Sequence, residues 1–327
     1  MSNFCRFSCK GFRVSLLIVF ALAALVFAPM VGAAGFGFSA SDEILLRLRI
    51  PRVLLGFFAG AILGGAGVVF QSLFRNDLAS PYTLGVAGGA SFGAVLSIKL
   101  GMTSAIFGFS LPALGGVIGA LIATMLVVLL YRTKGNAYGP ATMLLGGVVI
   151  SFLFSSLVLF VQYTSSFNES YEIIRWLMGG LETIDYLGVG TLAIGALILL
   201  AMGVFKSTDL DLLSMGDELA FSRGVDASRL RLKLFVLVSS IVGITVSFVG
   251  PIGFVGIVIP HFVRILIGPA HRTLFWLSML TAGGFLVTCD CLARVLLAPA
   301  ELPVGIITAL AGSPWFLYLL FRKTAVS

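Results

Sequence analysis

Residues 234–263, LFVLVSSIVGITVSFVGPIGFVGIVIPHFV, form an uncharged stretch whose reading decides the fold. As a single helix it would reach about 45 Å at 1.5 Å per residue, well beyond the ~30 Å of hydrocarbon in a bilayer. Gly250 and Pro251 stand inside it, and this pair breaks a helix because glycine loosens the backbone and proline removes a helical donor. The stretch is therefore expected to be two membrane spans joined by a turn.

Working outward, the other charge-free runs are Val14–Ser41, Val53–Phe74, Leu78–Ile98, Leu100–Tyr131, Gly135–Asn168, Tyr186–Phe205, Thr273–Cys289 and Leu302–Phe321. Nearly all match or exceed the ~20 residues that a helix needs to cross a bilayer. Mean hydropathy is +1.10, and 59% of residues are hydrophobic against 11% charged, where soluble domains carry roughly 25%. The expected fold is all-α: one polytopic domain over residues 1–327 with about ten transmembrane helices.

Both ends of the chain are basic, Arg6, Lys10 and Arg13 at one and Arg322 and Lys323 at the other, so the positive-inside tendency places both termini in the cytoplasm. Ten spans satisfy that. They also put the one long polar stretch, residues 206–233, inside. It mixes Lys206, Arg223, Arg229, Arg231 and Lys233 with Asp209, Asp211, Asp217, Glu218 and Asp226, in two short helical patterns split by Gly216 and Gly224. It reads as a docking surface for a soluble partner. The basic residues left outside are Arg47, Arg49, Arg52, Lys99, Arg175 and Arg294, and three of them crowd one short loop against the rule. An alternative reading of the N-terminus is a secretory signal ending near Val31-Gly32-Ala33-Ala34. Its apolar run exceeds the usual 7–15-residue signal core, so an uncleaved first span is expected.

Several kinds of chemistry are weighed and set aside. The net charge of +7 is scattered through loops and forms no continuous face, so nucleic acid is not expected as a partner. Cys5, Cys9, Cys289 and Cys291 make no metal or disulfide framework, and no cofactor is expected. Gly89-Ala90-Ser91-Phe92-Gly93 fits the serine-hydrolase pattern only if Ser91 sits on a strand-to-helix elbow beside a histidine. The small residues Gly60/Gly64, Gly89/Gly93 and Gly115/Gly119 are instead what close helix packing in lipid requires. The chain contains no phosphate-binding loop of the Gly-x-x-x-x-Gly-Lys-Ser/Thr kind. An ion-coupled transporter would carry ionisable pairs deep in its spans; Asp290 and Arg294, one turn apart near the outer end of the ninth span, come nearest and read as an interfacial ion pair. The chain thus offers a pathway without a motor, as a subunit of a larger machine would.

Seven segments resemble, in order, the permease family of ATP-binding-cassette importers for iron–siderophore complexes, cobalamin and haem, over nearly the whole chain. They are Arg49–Leu55, Phe74–Pro81, Leu84–Ala90, Trp176–Gly180, Gly250–Gly256, Val258–His261 and Ala300–Gly305. The resemblance implies an inner-membrane permease, not itself an enzyme, that pairs with a second permease subunit and two cytoplasmic ATPase subunits and receives cargo from a periplasmic binding protein. Ferric siderophore is the cargo it implies first, with cobalamin or haem as alternatives; an ion-coupled secondary transporter is the more distant rival. By the same resemblance, Arg49, Arg52 and Arg294 face outward to meet acidic residues of the binding protein. Leu213, Met215, Gly216, Asp217, Glu218, Leu219, Ala220 and Gly224 belong to the segment that couples to the ATPase, with Leu219 departing from the family's alanine. Asn76 and Leu78 line the cytoplasmic gate, where Asp77 replaces the usual proline, and Trp176, Gly179 and Gly180 help close the periplasmic mouth.

Overall fold

The computed structural model describes residues 2–32, 35–36, 42–102, 104–106, 109–134, 139–181 and 186–324. Ala33 and Ala34 of the considered cleavage motif lie outside these, as do the side chains of Cys5, Arg6, Cys9, Lys10, Arg322 and Lys323. The chain runs through α1 (Ser2–Phe27), a short α2 (Asp42–Ile44) that continues by a π-helical turn into α3 (Ile50–Phe74), α4 (Val86–Lys99), α5 (Leu111–Lys134), α6 (Gly139–Tyr163) and α7 (Phe167–Leu177). It continues through α8 (Tyr186–Phe205), α9 (Ser207–Met215), α10 (Asp217–Ser222), α11 (Ala227–Val249), α12 (Val255–Ile267), α13 (His271–Val295) and α14 (Val304–Thr324). Two hairpins of two-residue strands, Val31–Gly32 with Gly35–Phe36 and Ala105–Ile106 with Phe109–Ser110, lie in connections.

Among the described residues, seven helices are long and apolar enough to cross a membrane, and α4, α12 and α14 are shorter apolar helices, ten in all. The uncharged stretch 234–263 divides where expected: α11 ends at Val249, Gly250 turns with φ 67°, and α12 begins at Val255. The run Leu78–Ile98 is shorter as helix than as sequence, because the chain turns until Gly85, whose φ of 82° closes the turn before α4.

Burial separates the central from the peripheral helices. The span containing α3 is 83% buried and that of α13 is 72%, against 17% for α1 and 28% for α6. With no water to squeeze out between helices in lipid, association depends on close contact of small residues. The glycine pairs supply it: a Cβ on Gly64 would lie 2.8 Å from the Ser278 carbonyl, and one on Gly60 2.9 Å from Leu286 Cβ, so α3 and α13 touch backbone to backbone. Gly89 and Gly93 of α4 meet Gly119 and Gly115 of α5 in the same way.

Charged and polar side chains gather at the two ends of this bundle. The lower end carries α9 and α10; the upper end carries Arg52, α7 and the C-terminus of α13.

Candidate functional site

At the upper end the misplaced arginines turn inward. Arg52, near the start of α3, donates to Asp290 Oδ1 from Nε and Nη2 at 3.1 and 2.9 Å and to Glu301 Oε2 at 2.8 Å. Arg294, one turn beyond Asp290 on α13, lies 3.1 Å from Asp290 Oδ2 and donates to the carbonyl of Val31 at 2.6 Å and that of Ala28 at 3.4 Å. Arg49 donates to the Pro29 carbonyl at 3.1 Å. Residues 28–31 follow the C-terminus of α1, where carbonyls lack helical donors and the helix dipole is negative, so these cations cap the first span and tie it to α3 and α13.

The expectation that Arg294 faces outward therefore fails: its side chain is 4% exposed and that of Asp290 1%. Arg52 is half-way, at 15%. Arg47, by contrast, is 77% exposed and pairs with Glu43, four residues earlier, at 3.4 Å. The expected pair of Asp290 with Arg294 is present, but enlarged by Arg52 and more deeply buried than an interfacial pair.

Beside this cluster, three segments distant in sequence meet through their backbones. Gly180 N–H donates to the Val249 carbonyl at 2.9 Å and Gly305 N–H to the Gly179 carbonyl at 3.4 Å. A Cβ at Gly179 would fall 2.6 Å from the Pro251 carbonyl, and one at Gly250 2.7 Å from that of Trp176. Trp176–Gly180, Gly250–Gly256 and Ala300–Gly305 are thus one knot. A cavity of about 490 Å³ opens next to it, bordered by Arg52, Tyr171, Arg175, Met178 and Glu301.

The lower end is organised differently. Gly216, with φ 132° and ψ 154°, forms the elbow between α9 and α10, and Gly224, φ 82°, ends the second helix. Leu210, Leu213 and Ala220 are fully buried, whereas Met215, Leu219 and Phe221 are 71%, 42% and 78% exposed. Leu213 and Ala220 therefore anchor the segment to its own bundle and are not part of an outward apolar face. Glu218 is exposed, and a hollow of about 440 Å³ lies among Asp217, Glu218, Phe221 and Asp226.

Five polar side chains to which the sequence assigned no individual role, Arg231, Arg75, His271, Asp211 and Ser72, fix this segment. Arg231, 1% exposed, donates from Nη2 to Asp217 Oδ1 at 2.8 Å and from Nε to the Leu73 carbonyl at 3.0 Å, while Arg75 lies 3.7 Å from the same carboxylate. His271 donates from its backbone N–H to Asp211 Oδ1 at 3.1 Å; its ring bonds Asp211 through Nδ1 and Ser72 Oγ through Nε2. The only signal for any of these in the sequence is charge or a histidine next to an apolar run.

At the turn after α3, Asn76 Oδ1 accepts from Leu78 N–H at 2.9 Å, closing an Asx turn that leaves Leu78 46% exposed. Asp77 accepts from Arg264 Nη1 at 2.7 Å, and Arg264 Nη2 donates to Gln71 Oε1 at 2.9 Å. Gln71 Nε2 reaches the Gly256 carbonyl at 3.4 Å, the acceptor that Pro260, lacking an N–H, leaves without its i−4 donor. Asp77 in place of proline thus gains a side-chain tie to α12. Ser91 is buried within α4, five residues past its first turn's start rather than on an elbow, and His271 is engaged by Ser72 and Asp211.

A family model described as the FecCD transport family matches residues 13–322. The chain is 35% identical over 334 residues to a hemin transport system permease protein of Yersinia pestis, spanning 96% of this chain and 95% of that one. It is 38% identical over 290 residues to a cobalamin import system permease protein of Halobacterium salinarum, spanning 87% and 75%. A solved structure of a metal-chelate type ABC transporter in an inward-facing conformation matches with a TM-score of 0.84 at 30% identity, over 96% of this chain and 99% of that one.

Proposed function

Since the chain belongs to the FecCD transport family and is a transport permease rather than an enzyme, we propose that it passes a metal chelate inward by alternating access along a path formed with a second permease subunit. The lower end is cytoplasmic in this reading, as are both termini, and the membrane is the bacterial inner membrane. Two ATPase subunits engage residues 206–233, and a periplasmic binding protein delivers cargo at the upper end. Ferric siderophore is the cargo proposed; haem and cobalamin, which relatives carry by name, are the alternatives.

One observation carries this reading. Met215, Leu219 and Phe221 are exposed beside an acid-lined hollow on an otherwise polar segment, while Leu210 and Leu213 beneath them are buried. Apolar side chains held outward on a pinned helix pair suit a groove on a soluble partner. At the upper end, Arg47 and Arg175 are exposed and Arg49 is half-buried against the Pro29 carbonyl, and rim charges such as the first two raise encounter rates and set register more than affinity. Arg52 and Arg294 position the loop behind them. The gate roles follow the same division: Asn76 and Leu78 at the lower mouth, and Trp176, Gly179 and Gly180 in the upper knot. Asp290, matched by two arginines, lacks the uncompensated charge that an ion-coupled carrier needs.

The test is reconstitution of the chain in liposomes with the ATPase that co-purifies from its native membrane, supplied with binding protein and radiolabelled ferric siderophore, haem or cobalamin. ATP-dependent uptake of one chelate is expected. Uptake by the chain alone down an ion gradient would overturn the reading.

A further inference from the structure

Besides its apolar anchors, the segment 206–226 is tied to the bundle by two polar relays, and both end on neighbouring residues. Asp211 of α9 holds His271 at the N-terminus of α13, and His271 holds Ser72. Asp217, the first residue of α10, holds Arg231 of α11, and Arg231 holds the carbonyl of Leu73. Ser72 and Leu73 are in the last turn of α3, whose continuation is the Asn76–Leu78 turn. The two relays start on opposite sides of the Gly216 elbow, so each of the two short helices has its own.

The intermediate groups are buried: Arg231 is 1% exposed and His271 4%. Water therefore competes weakly for the bonds from Arg231 and His271 to α3, which a low local dielectric strengthens, while Asp211 and Asp217, 42% and 37% exposed, form the outer ends of the relays. Arg231 is also well matched to its task, because a guanidinium donates in two fixed directions, here to a carboxylate and a carbonyl, where an ammonium could serve only one with the same geometry.

We propose that these relays form a two-point linkage transmitting displacement of 206–226 to the end of α3, and so to the turn carrying Asn76 and Leu78. Asp211, His271, Ser72 and Arg231 are positioning residues: they touch neither cargo nor nucleotide, and they keep the lower mouth in step with the docked partner. The linkage rests on the reading above that 206–233 receives the ATPase.

Two measurements test it. In proteoliposomes with the co-purifying ATPase, Asp211→Asn and Arg231→Lys are expected to retain the ATPase and its hydrolysis but to move at least about fivefold less chelate per ATP, the low end of typical site-to-site coupling. Asp211→Glu is expected to recover part of the loss. An unchanged ratio, or loss of the ATPase from the complex, would overturn the proposal, the second because it would make these residues docking contacts. Independently, spin labels at Ser214 and Leu78 on the full chain in nanodiscs should show a narrow distance distribution that broadens in the Asp211→Asn, Arg231→Lys double variant. An equally narrow distribution in both would refute the linkage even if the wild-type chain failed to transport, an outcome that would sink the importer reading alone.

Discussion

Arg49, Arg52 and Arg294 at the upper end and residues 206–233 at the lower end are both concentrations of charge in an apolar chain, and from sequence both read as surfaces awaiting a partner. They differ in what the charge touches. Arg294 and Asp290 are 4% and 1% exposed and matched within the chain, whereas the lower segment buries only its anchors and leaves Met215 and Phe221 bare. Charge marks a place where something must be neutralised. Whether a partner or the fold itself does so depends on whether carboxylates and free carbonyls lie within reach.

The sharpest way to break this contrast is Asp290→Ala. It strands Arg52 and Arg294 with their principal carboxylate gone, and removal of one partner from a buried ion pair costs about 3–5 kcal/mol. Thermal unfolding in detergent should fall accordingly; a loss below about 1 kcal/mol would mean that the upper cluster behaves as surface charge. Next is Gly305→Ala, whose methyl would strike the Met178 carbonyl. Overpacking of this kind costs about 1–3 kcal/mol, read as lowered stability.

At the lower end the order of effects inverts. Phe221→Ser should change stability by no more than about 0.5 kcal/mol, as exposed substitutions do, yet weaken ATPase binding about tenfold, as loss of an interface anchor does. Co-sedimentation with the ATPase and a melting curve on the same sample decide it. Smaller again is Arg47→Glu: the 77% exposed side chain contributes at most about 1 kcal/mol to stability, but the variant should slow association with the binding protein and reduce the salt dependence of that rate, measured by stopped flow.

The smallest expected effect is with acid. Lys99, by its 2.9 Å hydrogen bond, and the Ser166 N–H hold the Glu169 carboxyl below the usual carboxylate range. A depressed folded value gives a contribution present above the unfolded pKa and lost as pH falls through the folded one. Hydrogen exchange at the start of α7 should therefore be flat near neutrality and rise beyond its intrinsic trend only in moderately acidic buffer.

Local chemistry made part of this legible in advance. Gly250–Pro251 gave away the split between α11 and α12, and the four-residue glycine spacings marked α3, α4 and α5 for close packing, because breakers and small residues act on their own backbone; which helix each would meet was not written there. The fate of Arg52 was not legible: its carboxylate partner Asp290 lies 238 positions away, and the carbonyls that engage Arg294 have no signature in side chains. Leu213 and Leu219 looked alike as apolar members of one pattern. The turn at Gly216 shifts the helical phase between them, so one faces the bundle and the other solvent.

The short helices have a further implication. At 1.5 Å per residue, the 14 residues of α4 and 13 of α12 extend only about 20 Å, short of the ~30 Å of hydrocarbon, so the non-helical segments 75–85 and 250–254 must complete crossings that these helices cannot make alone. Unpaired peptide groups are tolerated there only against protein or a wet lumen. Protein supplies part of that shelter, since Ala79 N–H donates to the Asn76 carbonyl and Val255 N–H to that of Gly253, so each short helix carries a folded cap instead of a bare end.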